Sequence, residues 1–291
     1  ESLHLMIICV STLSILACLF VIGLFIWLKD LRHFTFKLVV YLVAADIAKG
    51  GAMLLPPDDS ICCFLQGFLT VYFQLSSILW VAVISYVMYS VVVNRDMHVE
   101  RKEIRFIFFC NFIPLIASVL PAIFQEYGYA HGWCSVEESN DDFLLETALR
   151  ALVFYIPLYS VFIYSLYTYH RIHKEITKYS IHSYTDQSIS DARNFIYKLY
   201  LYPVVLVVSY TAVTVFRAYN FIVMDGTIFE LAFISAFFIN LNGFLNAMVY
   251  GFNKHVRQAL RENCCERDPS MHSLSFLSME SYEGGRHSGG C

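Results

Sequence analysis

Asp46 and Lys49 stand three residues apart in the apolar run 36–55, where the chain offers little else that is polar enough to hold a charge. A charge at the centre of a membrane helix costs roughly 2.5–3.5 kcal/mol on insertion scales, so each residue implies a partner or a task. Asp46 lies about 15 Å into its run at the helical rise of about 1.5 Å per residue, which is near mid-membrane. Lys49 lies on a neighbouring face, one turn nearer the outer end. The two can neutralise each other, or Lys49 can snorkel outward. Otherwise Asp46 is a charge switch in the core and Lys49 lines a cavity. A solute transporter working through an Asp46/Lys49 midplane site is the alternative function.

Uncharged polar residues recur on single helical faces. Gln66, Thr70, Gln74 and Ser77 are spaced four, four and three, with Trp80 one turn further on. Ser235, Asn242, Asn246 and Tyr250 are spaced seven, four and four. Lipid cannot satisfy such stripes, so they face the bundle, as interhelical hydrogen bonds or as pocket lining. The lower half of the second stripe is crowded with amides and can meet Asp46 across the core. Arg150 and Arg217 lie near the outer ends of their runs; turned inward, they suit an anionic group.

Covalent and metal chemistry find little support. The nine Cys have no metal-ligand spacing, and His4 and His170 sit at opposite ends of their runs. No metal, cofactor or enzymatic activity is expected. Cys134 is alone in one outer connection, and Cys62 and Cys63 lie at the mouth of the third run. In an oxidising exterior, Cys134 bridges one of that pair, and the residues alone leave open which. Cys264 and Cys265 follow an amphipathic stretch at 253–263 whose apolar face carries Val256 and Leu260. Such a helix lies on the inner leaflet among membrane lipids, and Cys after it suggests palmitoylation, with free thiols the alternative.

Seven apolar runs must position these groups: 4–28, 36–55, 64–93, 106–125, 148–170, 195–219 and 229–252. Hydrophobic residues make up 57% of the 291 and charged residues only 15%, against the roughly 25% charge of soluble domains. Runs of this length cross a bilayer as helices, because lipid offers the backbone no hydrogen bonds. The first run, of about 24 residues, is too long for a cleavable signal. Pro114, Pro121, Pro157 and Pro203 fall inside runs and are tolerated there as kinks. Connections on one side, with the run ends that flank them (29–37, 94–105, 170–198 and the tail), hold 17 of the 20 Lys and Arg residues, and the opposite connections hold none. The basic side is cytoplasmic, which places the N-terminus outside and the C-terminus inside a multi-pass plasma-membrane protein. The fold class is all-α: a seven-transmembrane helix bundle over 1–263 with a short amphipathic eighth helix, then a disordered tail at 264–291. The basic loops follow from that topology and give no reason to expect nucleic acid as a partner.

The run Leu241-Asn242-Gly243-Phe244-Leu245-Asn246-Ala247-Met248-Val249-Tyr250 resembles the seventh helix of the cyclic-AMP-receptor-like (class E) G-protein-coupled receptors. Asn246-Ala247-Met248-Val249-Tyr250 is similar to the Asn-Pro-x-x-Tyr motif of rhodopsin-like receptors, with Ala for Pro. Cys63-Phe64-Leu65-Gln66-Gly67-Phe68, Ser76 to Trp80, Gly132-Trp133-Cys134 and Tyr202-Pro203 with Arg217 resemble the same family in order. The resemblance favours Cys63 as the partner of Cys134. It implies a heterotrimeric G protein on the inner face, an arrestin-like protein on a phosphorylated tail, and Pro203 as a hinge. Asn94-Arg95-Asp96 stands where rhodopsin-like receptors carry Glu/Asp-Arg-Tyr. The acidic outer loops oppose a cyclic nucleotide, whereas Lys49, Arg150 and Arg217 suit its phosphate, so the ligand is not carried over.

Overall fold

Each apolar run folds as a helix, since only intrasegment hydrogen bonds satisfy a backbone surrounded by hydrocarbon. The computed structural model describes residues 2–28, 33–57, 59–96, 98–130, 132–136, 143–182, 201–222, 228–251 and residue 256. The helices are α1 (Ser2–Trp27), α2 (Phe34–Met53), α3 (Ser60–Val92) and α4 (Glu103–Ile123), the last entered through a 3-10 turn at Val99–Lys102. Phe143–Arg150, a π-helical turn at Ala151–Tyr155 and Ile156–His182 follow without a break as one rod, α5. α6 (Leu201–Ile222) and α7 (Phe229–Gly251) complete the bundle. Among the described residues, α1, α3, α4 with its 3-10 turn, α5 and α7 are long and apolar enough to cross a membrane. α2 carries Lys37, Asp46 and Lys49, and α6 carries Arg217.

α3 is the central post. It packs on α2, α4 and α5, while α1 packs on α2 and α7, and α7 on α6. The main core gathers Leu42, Val43, Ile78, Trp80, Ile84 and Tyr250. Outward faces are as apolar as the interior: Ile104 is 81% exposed, and Leu16, Phe20, Phe108 and Phe112 are exposed as well. A rim of this kind suits lipid rather than water. α5 outruns its apolar run of 148–170, continuing to His182 through the basic residues Arg171, Lys174 and Lys178.

Two local features depart from the all-α expectation. β1 (Tyr127–Ala130) and β2 (Trp133–Val136) form an antiparallel hairpin, with Tyr127 opposite Val136 and Ala130 opposite Trp133. Gly132 turns it at φ +116°, a conformation that favours glycine, and the Leu3 side chain packs close over it. Trp133 is buried beside Ile7, Met53 and Ala236, which ties the hairpin to α1, α2 and α7. The π-turn in α5 lies just before Pro157, which has no N–H for the carbonyl four residues back. The widened turn absorbs that loss. Cys264, Cys265 and the tail lie outside the described residues. Of the stretch 253–263 only Val256 is described, and it is buried in the main core.

Candidate functional site

α2, α3 and α7 meet at Asp46, which is 1% exposed. Its Oδ1 accepts from Ser77 Oγ at 2.8 Å and from Asn242 Nδ2 at 3.3 Å, and its Oδ2 from Asn246 Nδ2 at 2.7 Å. The four-residue spacing of the two asparagines puts both amides on the face that α7 turns toward α2. Gly243 lets the helices approach. A Cβ there would stand 2.4 Å from Ser14 Oγ, 3.0 Å from Asp46 Cβ and 3.2 Å from Cys18 Sγ. Three donors from two helices make a buried carboxylate tolerable, and each hydrogen bond to a charged group is worth about 1.5–3 kcal/mol.

Lys49 is 2% exposed, and its Nζ donates to the Ile239 carbonyl oxygen at 2.8 Å. Among the described residues there is no ion pair between Lys49 and Asp46. The ammonium therefore tethers α2 to α7 one turn above the carboxylate instead of capping it.

Between the hairpin and this core lies a cavity of about 80 Å³ lined by Thr70, Gln74, Trp133, Arg150, Phe154, Val213, Arg217 and Ile239 among others. That is room for several waters or a small ligand group. None of the described lining residues is acidic, and two, Arg150 and Arg217, are arginines. Arg150 Nη2 donates to the Val136 carbonyl at 3.2 Å, which fixes it to the hairpin. The Thr70 hydroxyl is buried without a hydrogen-bond partner. Of the six pocket candidates read from the sequence, the structure brings Thr70, Gln74, Arg150 and Arg217 together here. Lys49 and Gln66 lie elsewhere.

Gln66 is a staple beneath the hairpin. It donates to the carbonyls of Met53 at 3.3 Å and Leu55 at 2.9 Å, and accepts from the Cys134 backbone N–H at 2.8 Å. Beside it Cys63 and Cys134 form a disulfide with Cα atoms 5.2 Å apart, while Cys62 is a free, half-buried thiol. The alternative pairing through Cys62 is thereby set aside.

At the end opposite the hairpin, Lys37 pairs with Glu103 at 2.6 Å, and Tyr41 donates to the same Glu103 oxygen at 2.6 Å. Tyr41 in turn stacks on Trp80 with ring centroids 4.9 Å apart. Arg95 takes a positive φ of 56°, and after it Asp96 accepts from Lys102 Nζ and from the His98 backbone N–H, each at 3.0 Å. The Lys102 ammonium, then the His98 N–H, hold the Asp96 carboxyl below its ordinary pKa. Tyr250 packs edge-on against Phe36 with centroids 5.4 Å apart. Pro203 is buried near the start of the described part of α6.

Sequence reasoning singled out neither Phe154 nor Tyr210. Tyr210 sits seven residues before Arg217, on the same face, and that spacing was the available signal.

The family described as slime mold cyclic AMP receptor matches residues 1–260. A protein named G-protein coupled receptor 1 from Arabidopsis thaliana is 27% identical over 87% of this chain and 78% of its own length. Cyclic AMP receptor-like protein A from Dictyostelium discoideum is 30% identical over 87% of this chain, and the chain spans 65% of that protein. Cyclic AMP receptor 2 of the same organism is 26% identical, and the chain spans 56% of it. Squid rhodopsin superimposes with a TM-score of 0.69 over 99% of this chain and 91% of its own, at 16% identity, which establishes a shared fold.

Proposed function

Because this chain belongs to the slime mold cyclic AMP receptor family, a family of receptors rather than enzymes, we propose that it senses an extracellular ligand and activates a heterotrimeric G protein by helix rearrangement. The observation that carries the proposal is the stacking of a basic cavity, with Arg150 and Arg217 in its wall, on the Asp46 clamp that joins α2, α3 and α7. A small anion seated against the arginines bears on α5 and α6. If one helix arrangement grips it better, the population shifts toward that arrangement.

The hairpin end faces outward in this reading and the N-terminus with it, a placement that the distribution of Lys and Arg supports. The opposite end, with the ion pairs Lys37–Glu103 and Asp96–Lys102, then faces the G protein. Buried Pro203 serves as the hinge of α6. Palmitate on Cys264 and Cys265 would hold the stretch 253–263 against the inner leaflet. An arrestin-like protein is the second cytoplasmic partner.

Purified chain, reconstituted in lipid with a heterotrimeric G protein, is the test. Exchange of labelled nucleotide should rise above protein-free vesicles, and a panel of small anions, cyclic AMP included, should alter the rate. Arg217→Ala should weaken the response to whichever anion acts. A chain that drives no exchange, yet moves solute across liposomes without a G protein, would instead be a transporter.

A further inference from the structure

The cavity under the hairpin has two levels. Arg150 is held at the upper one by its bond to the Val136 carbonyl of β2, at 3.2 Å. Three and four residues further along α5, Val153 and Phe154 line the same space. On α6, Arg217 lines it near the outer end of the helix, and Val213 lines it one turn deeper. Ile239, three residues before Asn242 on α7, lines its lower end. On two separate helices, then, the order from the hairpin inward is guanidinium first and hydrocarbon second. On α3 the wall stays polar through Thr70 and Gln74. Thr70 is 5% exposed, and its hydroxyl is buried without a hydrogen-bond partner. An unpaired buried hydroxyl is unfavourable, and one set in a cavity wall is satisfied by an acceptor on an occupant.

Size and wall chemistry narrow the occupant. A volume of about 80 Å³ is near half of the ~150 Å³ that holds benzene in an apolar cavity. It is far below the roughly 300–1,000 Å³ of pockets for drug-sized ligands. A nucleotide, with base, sugar and phosphate, is too large for it. Inorganic phosphate is small enough, but the lower level offers its remaining oxygens nothing to bond, and charge buried beside hydrocarbon is costly. A carboxylate on a short alkyl chain meets both levels. Guanidinium groups bind carboxylates through paired N–H donors. Each methylene set among Val153, Val213 and Ile239 gains the free energy of apolar burial.

Resting on the reading of this cavity as the ligand site, we propose that it takes a short-chain monocarboxylate of about two to four carbons. The carboxylate sits at the level of Arg150 and Arg217. The Thr70 hydroxyl donates to one of its oxygens, and the alkyl chain points down between α5, α6 and α7. Thr70 is thus a specificity-determining residue for the carboxylate, and Val213 sets the length of chain admitted. Binding is noncovalent, and no group is transferred.

The test is the melting temperature of the purified full chain, titrated at matched sodium concentration with formate, acetate, propionate, butyrate, hexanoate, butanol, inorganic phosphate and cyclic AMP. A ligand of the native chain raises the melting temperature according to its affinity. Affinity should rise about fourfold per carbon from formate to propionate, the factor for one buried methylene. It should fall again from butyrate to hexanoate. Thr70→Val, which removes the hydroxyl and keeps the shape, should weaken propionate about tenfold, the factor of one hydrogen bond to a charged group. Val213→Leu should weaken butyrate and propionate relative to acetate. Affinities that ignore chain length, a larger shift with phosphate or cyclic AMP than with propionate, or propionate binding unchanged in Thr70→Val each overturn the proposal. Should Thr70→Val fail to fold, the chain-length order in Val213→Leu decides. The melting series needs no G protein. Carboxylates that bind a chain driving no nucleotide exchange leave the assignment standing and remove the receptor reading, whereas a flat carboxylate series in a chain that does drive exchange removes the assignment alone.

Discussion

Gly243→Ala is a perturbation whose cost can be worked from the packing. The added Cβ would stand 2.4 Å from Ser14 Oγ, 3.0 Å from Asp46 Cβ and 3.2 Å from Cys18 Sγ. Ser14 can rotate its hydroxyl away. Asp46 cannot move, because three donors hold its carboxylate, and Cys18 Sγ already donates to the Gly243 carbonyl at 3.3 Å. So α7 must back away from α1 and α2. Overpacking of this kind costs about 1–3 kcal/mol, and the better helix propensity of Ala returns about 1 kcal/mol. The net loss is about 0–2 kcal/mol against wild type, or up to about 6 °C in melting temperature for a chain of this size, and larger against a glycine replaced without a clash. Gly23→Ala is the control, because nothing lies within 4 Å of a Cβ there. It should melt at or slightly above wild type through propensity alone. The assay is thermal melting of the detergent-purified chain. A Gly243→Ala protein that melts as high as Gly23→Ala would refute the claim that this glycine sets the distance between α7 and α2.

Cys63→Ser and Cys134→Ser should each reduce surface expression, and the double variant should do no more harm than either, whereas Cys62→Ser should behave as wild type in the same cell-surface labelling. Lys49→Met should lower the melting temperature by a few degrees, because it removes the charged hydrogen bond to the Ile239 carbonyl, worth about 1.5–3 kcal/mol, and the nearby positive charge that offsets Asp46. Asp46→Asn should alter basal nucleotide exchange, and adding it to Lys49→Met should recover part of the lost melting temperature; additive losses would mean the two charges do not compensate. Asp96 contributes with a defined sign: its carboxyl is held below the ordinary value of 3.8, so its contribution is present above that pH and is lost as pH falls through the folded value. The melting difference between wild type and Asp96→Asn should therefore be flat between about pH 5 and 8 and close below about pH 4; a difference that grows on acidification would contradict the pairing with Lys102.

The seven helices were legible because apolar runs of bilayer length permit one regular structure. The meeting of Asp46 with Asn242 and Asn246 was legible too, since a lone carboxylate and a helical stripe of amides each need what the other supplies. The fate of Lys49 was not. Pairing with Asp46, snorkelling and lining a cavity all satisfy an ammonium on paper, and the chosen acceptor, the Ile239 carbonyl, is backbone and leaves no mark in side-chain pattern. Gln66 shares a stripe with Thr70 and Gln74, yet it bonds to Cys134 and to the carbonyls of Met53, at the end of α2, and Leu55. Helical spacing fixes a face but not the height at which a loop folds over it. The hairpin was missed among long helices, although Tyr127, Tyr129 and Trp133 around a turn glycine are its ordinary signature. Pro157 was visible, but whether a proline kinks a helix or widens one turn depends on the packing around it.

The hairpin has a mechanical consequence. It is bolted to α3 through Cys63 and Gln66 and wedged by Trp133 against α1, α2 and α7. Fastened at that rim, the bundle would work like tongs in the proposed rearrangement, with the pivot near the bolt and the greatest travel at the free tips. α6 spans 22 residues, about 33 Å at about 1.5 Å per residue. A tilt of about 5° about its end nearer the cavity would carry its far tip about 3 Å, while the residues around the cavity shift by a fraction of that. A small occupant pushing near the pivot can thus open a wide gap at the tips, and loosening the bolt would waste the stroke.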